Sequence, residues 1–125
     1  MNKIIHTDRA PAAIGPYSQA VQAGNLLFVS GQIPIDPATG VFAGEDITTQ
    51  TRQSLTNVKA ILEEAGYALS DVVKATVLLA DMGDFAAMNA VYAEFFTSDC
   101  PARAAFAAKE LPRGAKVEIE VIAAK

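Results

Sequence analysis

Arg103 lies in the run Cys100-Pro101-Ala102-Arg103-Ala104-Ala105-Phe106, the one charged residue in an alanine-rich stretch. Its guanidinium presents donors in a planar fork that matches a carboxylate, and burial does not neutralise it. Further along comes Val117-Glu118-Ile119-Glu120, which offers carboxylates from what reads as the neighbouring strand. An anion clamp beside a possible base points to a site for a small organic acid. A plainer reading stands beside it: Arg103 paired with Glu118 or Glu120 on a solvated sheet face, an arrangement that contributes little. Spacing leaves both open, because a one-residue shift in register moves Arg103 to the face opposite Glu118.

Other polar residues divide in the same way. Tyr17 follows the turn Ile14-Gly15-Pro16, which presents it at a defined position, and an ordinary core tyrosine is equally compatible. Ser30-Gly31-Gln32 closes an apolar strand. The glycine there allows a ligand close to the backbone, and a plain strand end reads as well. Asn89 sits beside Met88 and close to Val91, either facing solvent or making a polar contact at an interface. His6 and Cys100 are the single residues of their types. An intramolecular disulfide is therefore impossible, a zinc site lacks ligands, and Cys100 has only His6 as a conceivable imidazole base.

The elements that must position these residues follow from pattern. The 125 residues are 51% hydrophobic and 19% charged, a globular composition expected to form one domain over 1–125. A net charge of −4 with no Lys/Arg run argues against nucleic acid as a partner. The N-terminus lacks the apolar core of a signal peptide, and no apolar run approaches the ~20 residues of a membrane span. A soluble cytoplasmic protein is expected.

Tyr17–Gln22 and Leu26–Ser30 read as strands around the hairpin signal Gly24-Asn25. A helix is expected from about Ile47 to Ala65, with Leu55, Val58, Leu62 and Ala65 on one face, Asp46 as N-cap and Gly66 beyond its end. Val72–Leu79 is a β-branched strand. A second helix starts after Asp84, with Phe85, Met88, Tyr92 and Phe95 apolar and Pro101 barring its continuation. Arg103–Ala108 and Lys116–Ala123 form the last strands around Leu111-Pro112-Arg113-Gly114. The order gives an α+β fold: a single sheet with two helices packed on one face. Leu26–Val29 and Val77–Leu79 look buried on both sheet faces, yet two helices cover only one. That shortage implies a homo-oligomer, with sites at subunit interfaces a natural consequence.

Taken together, the blocks Gly15-Pro16-Tyr17-Ser18-Gln19-Ala20, Val29-Ser30-Gly31-Gln32-Ile33-Pro34, Asp36-Pro37-Ala38-Thr39-Gly40, Gln50 to Lys59, Phe85 to Phe96, Pro101-Ala102-Arg103 and Leu111-Pro112-Arg113 leading to Val117-Glu118-Ile119 resemble the RidA/YjgF reactive-intermediate deaminase family. The likeness spans nearly the whole chain. It implies a chorismate-mutase-like fold assembled as a trimeric barrel, with sites between subunits. It also implies hydrolysis of enamine and imine acids, 2-aminoacrylate/2-iminopropanoate and 2-iminobutanoate, to 2-oxo acids and ammonia without a cofactor or metal. Carried over by position, Arg103 holds the substrate carboxylate and Glu118 positions the attacking water. Tyr17, Ser30 and Asn89 line the pocket, with backbone near Gly31 and Ala105. Ala105 stands where many members carry a cysteine, and the loop between Phe96 and Pro101 looks short for the family. A non-catalytic trimer binding 2-oxo acids or related carboxylates as a sensor is the alternative. Ribonuclease activity, attributed to some relatives, sits badly with the acidic charge.

Overall fold

The computed structural model describes residues 1–125. In chain order the elements are β1 (Lys3–Ile5), β2 (Ala20–Ala23), β3 (Leu26–Gln32), α1 (Ile47–Glu64), β4 (Val72–Leu79), α2 (Phe85–Phe95), β5 (Ala102–Ala107) and β6 (Val117–Ala124). Short 3-10 turns stand at Leu69–Asp71, Met82–Asp84 and Pro112–Gly114. The strands form one mixed sheet in the order β1-β2-β3-β6-β4-β5, antiparallel throughout except for the parallel β4–β5 pair.

Local chemistry places the helix ends. The Asp46 carboxylate accepts from the Thr49 backbone N–H at 2.9 Å, and this contact lowers its pKa. Gly66, at φ +82°, takes the left-handed position just past the end of α1. Leu55, Val58, Ile61 and Leu62 of α1 and Met88 and Tyr92 of α2 then pack against Leu27, Val29, Val77, Leu79, Val117, Ile119 and Val121 in one buried cluster. Both helices therefore cover the same sheet face. Alternation along the strands supplies that face with every second residue.

Three buried amides fix the loops around this core. The Gln19 side chain accepts from the Thr7 N–H at 2.7 Å and donates to the Thr7 and Pro11 carbonyls, pinning the N-terminal segment. Asn57 donates to the Ile35 carbonyl at 2.9 Å and to that of Ile33. Gln50 donates to Gly44 and accepts from the Lys116 N–H at the start of β6. A buried amide left unpaired costs roughly 1–3 kcal/mol, so each of these residues ties its loop firmly to α1 or β2.

Several sequence expectations change. β2 begins at Ala20, so Tyr17 belongs to the bend that precedes it, after Gly15 at φ +123°. β1 adds an edge strand that at three residues is too short to show alternation. α2 stops at Phe95, well before Pro101, so the proline is not its terminator. The last two strands are not neighbours: β4 lies between β5 and β6. Within one chain Leu26–Val29 is buried on one face only, and Phe28 is 44% exposed. The register aligns Ile4, Val21, Phe28 and Ile122 across β1, β2, β3 and β6 on the face without helices. An apolar row crosses that open face.

Candidate active site

Glu118 follows Val117 in β6 and so points away from the helices, opposite Leu78 of β4. Its position depends on β3. Between the pairs Val29–Val121 and Gln32–Ile119, β3 spends one more residue than β6, which makes a bulge at Ser30-Gly31. A Cβ built on Gly31 would clash with the Glu118 carboxylate, approaching Oε2 most closely and Cδ at 2.9 Å. The close approach that glycine permits here is made by Glu118 itself, from the adjoining strand. Half-burial is the main cause raising the Glu118 pKa above the ordinary carboxylate value, and the charge of Glu120 adds to it.

Around Glu118 opens a cavity of about 730 Å³, with Tyr17, Ser30, Gly31, Arg113 and Glu120 among its walls. Ser30 commits its hydroxyl to the Ser18 carbonyl at 2.6 Å, which holds the Tyr17 bend against β3. The Tyr17 side chain is left about half exposed at the rim. Ile33 and Ile35, whose carbonyls Asn57 anchors, form part of the far wall. Arg113 enters from the turn before β6 with its backbone at φ 58°, an uncommon conformation for a side chain of its size. Sequence reasoning did not single it out, and its only signal is the Pro-Arg-Gly turn.

Arg103 occupies a different place. β5 is an edge strand, and its parallel register sets Arg103 opposite Ala75, a residue on the helix-covered face. Its Nη1 donates to Asn89 Oδ1 at 2.7 Å. The guanidinium carbon stands 4.7 Å from the Tyr92 ring centroid and 5.5 Å from that of Phe85. Burial raises the Tyr92 pKa, against the pull of Arg103, so the ring remains a neutral phenol. Ala105 follows on the same face, opposite Val77 and partly packed into the core. Asn89 thus contacts Arg103, an option that periodicity alone did not contain.

The structure does not bring Arg103 and Glu118 together within one chain. Arg103 is level with Ala75 and Glu118 with Leu78, three residues along β4 and so on opposite sheet faces. Two strand spacings and three residue rises put their backbones roughly 14 Å apart. Neither glutamate forms an ion pair with Arg103; the ion pairs present are Arg9 with Glu63 and Glu64, Arg52–Glu94 and His6–Asp8. The surface ion-pair reading of Arg103 therefore fails. No group of three or more His, Cys, Asp or Glu residues is arranged to hold a metal ion. No helix is long and apolar enough to cross a membrane.

A single mixed sheet, two helices on one face and a carboxylate-lined cavity on the other define an α+β domain of one known class. Residues 7–125 match the family described as endoribonuclease L-PSP. The chain belongs to this family, the YjgF/RidA proteins. It is 58% identical over 125 residues to a RutC family protein of Pyrococcus horikoshii, covering 100% of this chain and 99% of that one. A 2-iminobutanoate/2-iminopropanoate deaminase of Salmonella typhimurium is 52% identical over 128 residues, covering 100% of this chain and 99% of the relative. The crystal structure of E. coli TdcF with bound serine superimposes with a TM-score of 0.95 at 47% identity, covering 98% of each chain.

Proposed function

We propose that this protein hydrolyses the imines of short 2-amino acids, 2-iminopropanoate and 2-iminobutanoate, to 2-oxo acids and ammonia. The observation that carries the chemistry is Glu118, a half-buried carboxyl with a raised pKa at the wall of a cavity. Such a group gives and takes protons closer to neutral pH than an exposed glutamate does. Full-length similarity to a relative named for this activity supports the reading. In the proposed reaction an enamine first tautomerises to the imine. Water then adds to the imine carbon as Glu118 accepts its proton, forming a C–O bond. Glu118 returns that proton to nitrogen, giving the carbinolamine. The hydroxyl proton then passes to nitrogen by way of Glu118 as the C=O bond forms and the C–N bond breaks, releasing ammonia and leaving the 2-oxo acid. No covalent nucleophile is needed, because the imine carbon is already electrophilic.

Arg103 binds the substrate carboxylate through its fork. Because it and Glu118 face opposite sides of one sheet, they act on one molecule only if a second copy supplies one of them. A cyclic homotrimer whose neighbours cover the row Ile4–Val21–Phe28–Ile122 gives that arrangement and removes apolar surface from water. Tyr17, Ser30, Gly31, Asn89 and Ala105 then surround the shared cleft.

The test generates 2-iminobutanoate in situ with a dehydratase and follows its loss. Wild-type protein should outpace buffer, while Arg103→Ala and Glu118→Gln should approach the buffer rate. Wild-type turnover no faster than buffer would sink the enzymatic reading. The TdcF structure with serine favours one other function, binding of small amino or 2-oxo acids without turnover. Calorimetric binding of 2-oxobutanoate that survives Glu118→Gln, with an inactive wild type, would establish it.

A further inference from the structure

The helix α2 turns one face toward β5, and that face is built from Phe85, Asn89 and Tyr92. Their spacing of four and then three residues puts all three on one stripe. Each meets the guanidinium of Arg103: Phe85 and Tyr92 through their rings at 5.5 and 4.7 Å, and Asn89 through its Oδ1 at 2.7 Å. Both ring distances lie within the range where a cation is held by the negative face of an aromatic ring. The Asn89 bond is the only hydrogen bond that the Arg103 side chain makes within the chain, so its remaining N–H donors have no protein acceptor. Tyr92 is itself held in place by a tilted ring contact with Phe96, 4.7 Å between centroids. Its buried hydroxyl has no hydrogen-bond partner. The ring, rather than the hydroxyl, is therefore the part of Tyr92 that the arrangement uses.

We propose that the Phe85–Asn89–Tyr92 stripe is a positioning device for Arg103, a two-ring and one-amide cradle that sets the guanidinium plane before ligand arrives. The proposal rests on Arg103 being the carboxylate clamp of the preceding section. An arginine free in solvent must give up its rotamer freedom when it binds a carboxylate, which weakens binding. Here packing on α2 removes that freedom during folding, and the unused donors are left for the ligand. Phe85 and Tyr92 touch neither the substrate nor the reacting atoms in this scheme. They act through Arg103, so their removal should weaken carboxylate binding and leave the chemical step alone.

The experiment measures KM and kcat for 2-iminobutanoate generated in situ, and Kd for 2-oxobutanoate by calorimetry, on the intact protein. Tyr92→Leu should raise KM and Kd about tenfold and Phe85→Leu about threefold, each with kcat within twofold of wild type. Tyr92→Phe, which keeps the ring and deletes only the unpartnered hydroxyl, should restore wild-type values. A leucine pair with unchanged KM and Kd overturns the cradle. So does a loss confined to kcat, or a Tyr92→Phe protein as impaired as Tyr92→Leu. Phe85 is only partly buried, so Phe85→Leu carries the test if the core substitution at Tyr92 fails to fold. Arg103→Ala separates the two levels. If it leaves Kd unchanged, the clamp reading falls; if it abolishes binding while Phe85→Leu and Tyr92→Leu do not move Kd, the cradle alone falls.

Discussion

Arg103 stands on an edge strand with its guanidinium exposed, whereas Glu118 lies half-buried toward the middle of the sheet. The first is organised by attraction: two rings and an amide gather around a charge that still keeps unused donors. The second is organised by exclusion. Gly31 leaves room for the Glu118 side chain where a Cβ would clash with it, and the carboxylate has no cationic partner to lower its pKa. One region holds a permanent charge with free donors; in the other, burial raises the pKa of a carboxyl. A site that needs both can be assembled from one sheet only by repeating the sheet.

The comparison can be broken most severely at Glu118. Glu118→Gln keeps the shape and removes the proton acceptor, so kcat should fall ~10²–10⁴-fold with little change in KM. A change in KM alone would transfer Glu118 from chemistry to binding. Arg103→Ala should cost roughly 10²-fold in kcat/KM, chiefly through KM, and Arg103→Lys should recover only part because an ammonium lacks the planar fork. Steady-state kinetics on both variants reads the difference directly.

Mixing these two variants sharpens the comparison. Arg103→Ala and Glu118→Gln subunits, unfolded together and refolded, should regain about a quarter of wild-type activity, since random assembly gives that share of sites an intact residue from each neighbour. Activity that stays at the level of the separate variants would mean that the two groups do not serve one site across subunits.

Gly31→Ala tests exclusion by itself. Its methyl group must displace the Glu118 carboxylate, and a loss of about tenfold in kcat is expected from the misplaced base. The smallest effect concerns stability. The folded-state pKa of Glu118 is raised, so its contribution is most favourable below the unfolded value and is lost as pH rises through the folded one. Glu118→Gln should therefore melt higher than wild type at pH 7, and thermal scans should show the gap closing as pH falls toward 4. A gap that widens in acid would reverse the sign assigned to burial.

Much of this was legible from local chemistry. Asp46 and Gly66 bracket α1 because an Asx side chain and a left-handed glycine act within a single helical turn. The Gly24-Asn25 hairpin and the β-branched run of β4 are equally local. Residue type alone draws attention to Arg103, whereas Glu118 is set apart from Glu120 only by the family resemblance. β1 was not legible, because three residues carry no period. The weak alternation around Tyr17 reads as strand because it carries no sign that Ser30 holds the bend through the carbonyl of Ser18, twelve residues earlier.

By itself, then, the sequence determined the class of elements, the caps and turns between them, and the two charged groups assigned to the proposed chemistry. Only the tertiary structure decided that β4 separates β5 from β6, and hence that Arg103 and Glu118 face opposite sides. Strand alternation assigns a residue to a face relative to its own neighbours in the chain. Which faces coincide across a sheet depends on pairing and register between distant segments, where a shift of one residue turns every side chain over.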